Sequence, residues 1–156
     1  MDWKKIEESY KRSAKILMEE TEETRTGCKD GIGKSPDHLT EKRRSDIVRL
    51  RMSAEFFLKA LYINREYSVF RFKNSIVKIE DLSEPQEIDL DKTHDFSVLI
   101  AKLGSIIADS DIVKSLKNGL NDIRTRGNEA IHGAEFSEEL IQEARTTIET
   151  LQKQFD

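Results

Sequence analysis

Ile47-Val-Arg-Leu50-Arg-Met-Ser-Ala54-Glu-Phe-Phe57-Leu58-Lys-Ala-Leu61 places apolar residues three and four positions apart for about four turns. That spacing predicts an amphipathic α-helix with one buried stripe, and the chain is read outward from it. Upstream, Thr40 stands where an N-cap is expected and Glu41 falls in the first turn. Trp3, Ile6, Tyr10, Ala14, Leu17 and Met18 repeat the helical spacing over residues 2 to about 26. Gly27 is expected to end that helix, and residues 28–36, with Gly31 and Gly33, read as a flexible loop.

Downstream, Val69, Phe70 and Phe72, then Ile76, Val77 and Ile79, flank Lys73-Asn74-Ser75. β-Branched and aromatic residues around a turn-like centre predict a short β-hairpin at residues 67–79, with helix continuation as the competing reading. Residues 81–91, with Pro85, read as an acidic loop. Thr93 or Asp95 is expected to open a third helix through Phe96, Leu99, Leu103 and Ile107. Asp109 or Ser110 caps a fourth, striped by Ile112, Val113, Leu116, Leu120 and Ile123. Ser137 caps the last, through Leu140, Ile141, Ala144, Ile148, Leu151 and Phe155, with Glu138 and Glu139 at its positive end. Short links between the later helices favour antiparallel neighbours. The expected fold is all-α, an up-and-down bundle of four or five helices.

A chain of 156 residues fits one domain that buries roughly 70% of its extended-chain surface. Apolar residues make up 37% and charged residues 36%, the balance of a soluble, highly charged helical protein. No apolar run approaches the roughly 18 residues that span a bilayer, and the opening MDWKKIEESY lacks a signal-peptide core. Cys28 is the single cysteine, so no internal disulfide forms; this fits a reducing cytoplasm, the expected location. A net charge of −4 argues against nonspecific coating of nucleic acid but leaves room for a local basic cleft. Lys42, Arg43, Arg44, Arg49 and Arg51 form one basic cluster, whose ordinary explanation is a solvated helix face.

The chemistry-bearing residues concentrate in Arg124-Thr-Arg126-Gly127-Asn128-Glu-Ala-Ile-His132-Gly133. Imidazole gives and takes protons near neutral pH, and guanidinium holds phosphate oxygens in a planar fork. Together they suffice to cleave an RNA phosphodiester without a metal. On an ideal helix Arg124 and His132 differ by about 80°, Arg126 and His132 by about 240°. An unbroken helix therefore favours Arg124, whereas a kink at Gly127-Asn128 brings Arg126 round. No cofactor is expected, and no metal: no His-Glu-x-x-His, no Cys pair and no two histidines at ligand spacing occur. Against the catalytic reading, His132 alone is a helix-end filler, and the arginines pair with Glu129 and Glu135 or with the helix dipole. His94 is expected to close a helix N-terminus, and His38 and Cys28 to be incidental. Trp3 and Tyr10 are expected in the core or on a dimer surface.

In three segments the chain resembles the HEPN family, small helical bundles of prokaryotic toxins, antiphage systems and CRISPR effectors. Arg126 and His132 fit its Arg-x(4–6)-His signature, with Asn128 as the polar member. Ala54-Glu55-Phe56-Phe57-Leu58-Lys59-Ala60-Leu61 resembles its A-E-x-x-L-K-A-L helix, and Thr93-His94-Asp95-Phe96 its T-H-D-L segment. Residues 40–156 form the expected core of a single domain, with residues 1–39 outside the resemblance. Gly127 separates Arg126 from Asn128, unlike many active members, and branches with Gly-Asn inside the motif place their arginine where Arg124 stands. Both arginines remain candidates, with the signature's spacing favouring Arg126. The resemblance implies a metal-independent endoribonuclease of toxin or antiphage type, with His132 as acid or base and an arginine stabilising phosphoryl charge. It further implies a homodimer whose two motifs share one cleft, RNA as substrate and a possible antitoxin or defence-system partner. Two other functions compete: a non-catalytic RNA-binding or regulatory module, and a purely structural dimerising bundle.

Overall fold

The stripe on the central helix becomes the middle of the molecule. In the computed structural model, which describes residues 1–29, 36–71, 75–82 and 89–155 (backbone alone at 22–29, 36–38 and 89–91), α2 spans Pro36–Asn64. Leu50, Ala54, Phe57, Leu58, Leu61 and Tyr62 on it are fully buried or nearly so. Each large apolar side chain so buried contributes roughly 1.5–3 kcal/mol. α2 begins at Pro36, a residue suited to a first helical position because the N–H it lacks would be unpaired there anyway. Thr40 therefore lies inside the helix and not at its cap.

The remaining helices are α1 (Trp3–Lys29), α3 (Phe96–Ala101), α4 (Ser110–Ile131) and α5 (Glu138–Gln152). α1 continues past Gly27, so that glycine does not end it. Pairs across the interfaces give the directions. Tyr10 stacks on Phe56, Ser53 donates to the Ala14 carbonyl at 2.8 Å, and Arg49 meets Glu20 at 3.4 Å, so α1 and α2 run antiparallel. Arg44 reaches Gly133 and Ala134 while Arg51 passes Gly127, which makes α4 antiparallel to α2. Phe57 meets Phe155 edge-on, and Arg65 donates to the Gln154 carbonyl, closing α5 onto α2. The result is a mostly helical bundle of up-and-down order.

Two caps match expectation. Asp109 accepts from the Asp111 and Ile112 amides, and Ser137 accepts from Leu140 at 3.2 Å. The third helix does not run to Ile107. It stops after Ala101 and is followed by a 3₁₀ turn, Leu103–Ser105, which keeps Leu103, Ile106 and Ile107 buried; burial overrides the 3.6-residue period here.

The excursion at residues 67–79 is only partly the expected hairpin. Tyr67 and Lys78 form an isolated bridge, and Ser68 donates to Val77 at 2.9 Å. Yet strand β1 (Phe70–Arg71) pairs antiparallel with β2 (Asp89–Thr93), the end of the segment read as an acidic loop. The His94 amide continues the pairing to the Val69 carbonyl at 2.9 Å. Cross-strand hydrogen bonds recruited a polar segment that lacks a strand-like pattern, which periodicity does not register. The loop with Gly31 and Gly33, the Lys73-Asn74 turn and the Pro85 loop lie outside the described residues, as do the side chains of Cys28 and His38.

One buried acid opposes the packing. Asp46 on α2 is 3% exposed, and its Oδ1 lies 3.5 Å from Arg49 without a hydrogen bond among the described residues. Burial pushes its carboxyl up to about 6, with Glu138 acting in the same sense and Arg49, Lys42 and Arg145 against it. The folded state thus holds the proton more tightly than the unfolded state. This carboxyl costs nothing below about pH 4, progressively more as pH rises to about 6, and a constant amount above, at most about 3 kcal/mol. Asp46→Asn is expected to melt with the native protein near pH 4 and above it at pH 7.5. Thermal unfolding followed by circular dichroism across that range checks this; a difference independent of pH contradicts it.

Candidate functional site

α4 carries the motif, and it is continuous from Ser110 to Ile131. Gly127 does not interrupt it. Its reason is a close approach: a Cβ there would collide with Arg51 Cδ and crowd Arg51 Cβ and Cγ at 3.1 Å. The side chain missing from α4 is the space through which α2 sends an arginine.

With the helix unbroken, Arg124, Asn128 and His132 succeed one another at about 40° steps along one face. All three line a single open groove of about 570 Å³, together with Thr125, Glu129, Gly133 and Ala134. Arg126 is not among its walls. It lines a small cavity between α4 and α5 with Asp122, Glu143 and Thr147, and its guanidinium lies 3.6 Å from Glu129. Of the four candidate residues, the structure brings together Arg124, Asn128 and His132 along the groove and leaves Arg126 outside its walls, paired with Glu129 at their edge.

His132 is exposed and forms the C-cap of α4. Gly133 follows at φ 84°, a left-handed conformation that L side chains resist. Its amide donates to Ala130 at 3.2 Å, and the Ala134 amide reaches back to Glu129 at 3.1 Å, the double closure of a Schellman end. The glycine after the histidine thus stops the helix, and Gly133 and Ala134 continue the groove's wall beyond it. Arg44 locks this turn: its Nε donates to the Ala134 carbonyl at 2.9 Å and a terminal nitrogen to Gly133 at 2.5 Å, while Glu41 holds the other terminal nitrogen at 2.6 Å. A guanidinium on carbonyls at a helix C-terminus also meets the negative end of the dipole.

Arg44 and Arg51 are absent from the candidates read in the sequence. Their basic cluster resembles a solvated face, yet Arg44 and Arg51 stand seven residues apart, about two turns along α2, and both meet α4 or its terminal turn. That register was the available signal. His94, by contrast, lies outside the groove. It is 5% exposed, and since a carbonyl only accepts, its Nε2 donates to Ser75 at 3.0 Å. Burial holds its pKa below the ordinary value, with Arg71 in the same sense and the Ser75 bond and Asp95 opposing. It ties the β excursion to the start of α3, where Asp95 is the N-cap. Among the described residues no three His, Cys, Asp or Glu side chains gather as metal ligands, and no helix is long and apolar enough to cross a membrane.

The Schellman end sets an expectation for stability. Gly133→Ala should lower it by roughly 1 kcal/mol through the left-handed backbone, and Gly133→Asn by less, because Asn tolerates that region. Denaturant unfolding of the three proteins checks the order; equal stabilities contradict the assigned role. As for likeness to known proteins, no family model, curated protein or solved structure matches the chain.

Proposed function

We propose that the protein is a metal-independent endoribonuclease of HEPN type, a toxin or antiphage effector that acts on RNA in the cytoplasm. The observation that carries this reading is the shared face of Arg124, Asn128 and His132 along one groove. These are the residue types the reaction requires, on one rigid element, and the resemblance in the α2 and Thr93–Phe96 segments supports it.

In this reaction the ribose 2′-oxygen attacks the adjacent phosphorus while a base takes its proton. The bond from phosphorus to the 5′-oxygen breaks, and an acid returns a proton to that oxygen. The products are a 2′,3′-cyclic phosphate and a 5′-hydroxyl, and neither water nor metal is consumed. His132 serves as base or acid. Arg124 neutralises charge on the non-bridging oxygens, and Asn128, one turn away from each, donates to a phosphate oxygen or the imidazole. α4 and its terminal turn supply every wall of the groove. A second copy facing it would close the cleft and bring the second histidine that two proton transfers need. A homodimer is therefore part of the proposal, as is an antitoxin or defence-system partner that restrains the activity.

One observation favours a second reading, an RNA-binding module without catalysis. The His132 ring has no hydrogen-bond partner among the described residues, whereas a catalytic base is generally oriented by a third group. Cleavage separates the two. The enzyme reading predicts that purified protein cuts RNA in EDTA, leaves cyclic phosphate and 5′-hydroxyl ends, and loses cutting in His132→Ala with the helical spectrum unchanged. Cutting abolished by EDTA or retained in His132→Ala contradicts it. Salt-sensitive RNA binding without cutting selects the binding module.

A further inference from the structure

We propose that Arg51 of α2 joins Arg124 of α4 in a subsite for a phosphate oxyanion, with Gly127 as the opening that admits Arg51 to it. The inference rests on the α4 groove as an RNA site for its biological ligand, a backbone phosphate flanking the scissile bond, but not for its binding chemistry.

Two buried atoms lead to it. The Nε of Arg51 and the Nε of Arg124 are shut from solvent, and neither has a hydrogen-bond partner among the described residues. Guanidinium N–H groups are strong donors without acceptor capacity, so a buried one left unpaired is costly and calls for an acceptor. The two belong to one place. Arg51 occupies the room where a Gly127 side chain would stand, and Gly127 is one turn from Arg124 on the same helix, where side chains three apart are neighbours. Arg51 has no ion pair among the described residues; its guanidinium carbon stands 5.7 Å from the Phe96 ring. A cation–π contact of that kind uses none of the N–H donors, which remain for an oxyanion acceptor.

The neighbouring arginines do not share this state. Arg44 is spent on the α4 terminus and Glu41, Arg49 on Glu20 and Asp46, and Arg126 on Glu129. Both side chains are positively charged, and an anion held between them would offset their repulsion. A phosphate, with oxygens enough for both forks, supplies the acceptors and the countercharge together.

Arginine side-chain ¹H–¹⁵N signals from Nε read the site directly. In full-length His132→Ala protein titrated with inorganic phosphate, the Arg51 and Arg124 signals are expected to shift together while that of Arg44 stays. Arg51→Met keeps the aliphatic stem beneath Gly127 and removes the guanidinium; it should weaken phosphate binding at Arg124 about tenfold or more. A short RNA should move the same two signals at lower concentration. An Arg51 signal that stays still, or phosphate binding at Arg124 unchanged by Arg51→Met, overturns the subsite. The titration with Arg51 intact decides the matter even if Arg51→Met loosens the helix contact. Phosphate moving both signals while RNA moves neither keeps the subsite and overturns the RNA reading of the groove.

Discussion

The crossing of α2 and α4 at Gly127 is the constraint on which the rest depends. A side chain there would collide with the Arg51 stem and force it aside. Without one, α4 lies close against the central helix and runs unbroken to Ile131. Continuity then fixes direction: residues four apart line up, and Arg124, Asn128 and His132 acquire a common face. Gly133 and Arg44 end that face one residue after the histidine, the first through its left-handed backbone and the second through bonds to two carbonyls. Site geometry and bundle packing are thus set by the same few contacts.

How much of this was legible varies by the kind of force involved. Helices α1, α2, α4 and α5 announce themselves because each buries a stripe at 3.6-residue spacing, and caps such as Asp109 and Ser137 follow from local hydrogen bonding. The partner of Phe70–Arg71 was not legible, since strand pairing over a long separation leaves no local periodicity. Nor was the end of α3, where tertiary burial of Ile106 and Ile107 tightens the chain.

The site shows the same division. Its residues were visible by type, but their arrangement turned on Gly127, which has two physical uses: to bend a helix or to admit a neighbour. Sequence spacing alone does not choose between them. The presence of Arg51 on the facing helix does, and its place about two turns beyond Arg44 on α2 was the trace it left. Arg126, whose spacing to His132 fits the signature better, lines a different cavity because the helix is unbroken.

The account therefore stands most directly on which arginine serves the groove. Rates of RNA cleavage by Arg124→Ala and Arg126→Ala, measured side by side in EDTA on proteins with matched helical spectra, test it. Loss of a charge-stabilising donor predicts a fall of about 100-fold or more for Arg124→Ala and a change of only a few-fold for Arg126→Ala. The reverse order, with Arg126 essential and Arg124 dispensable, would contradict the account.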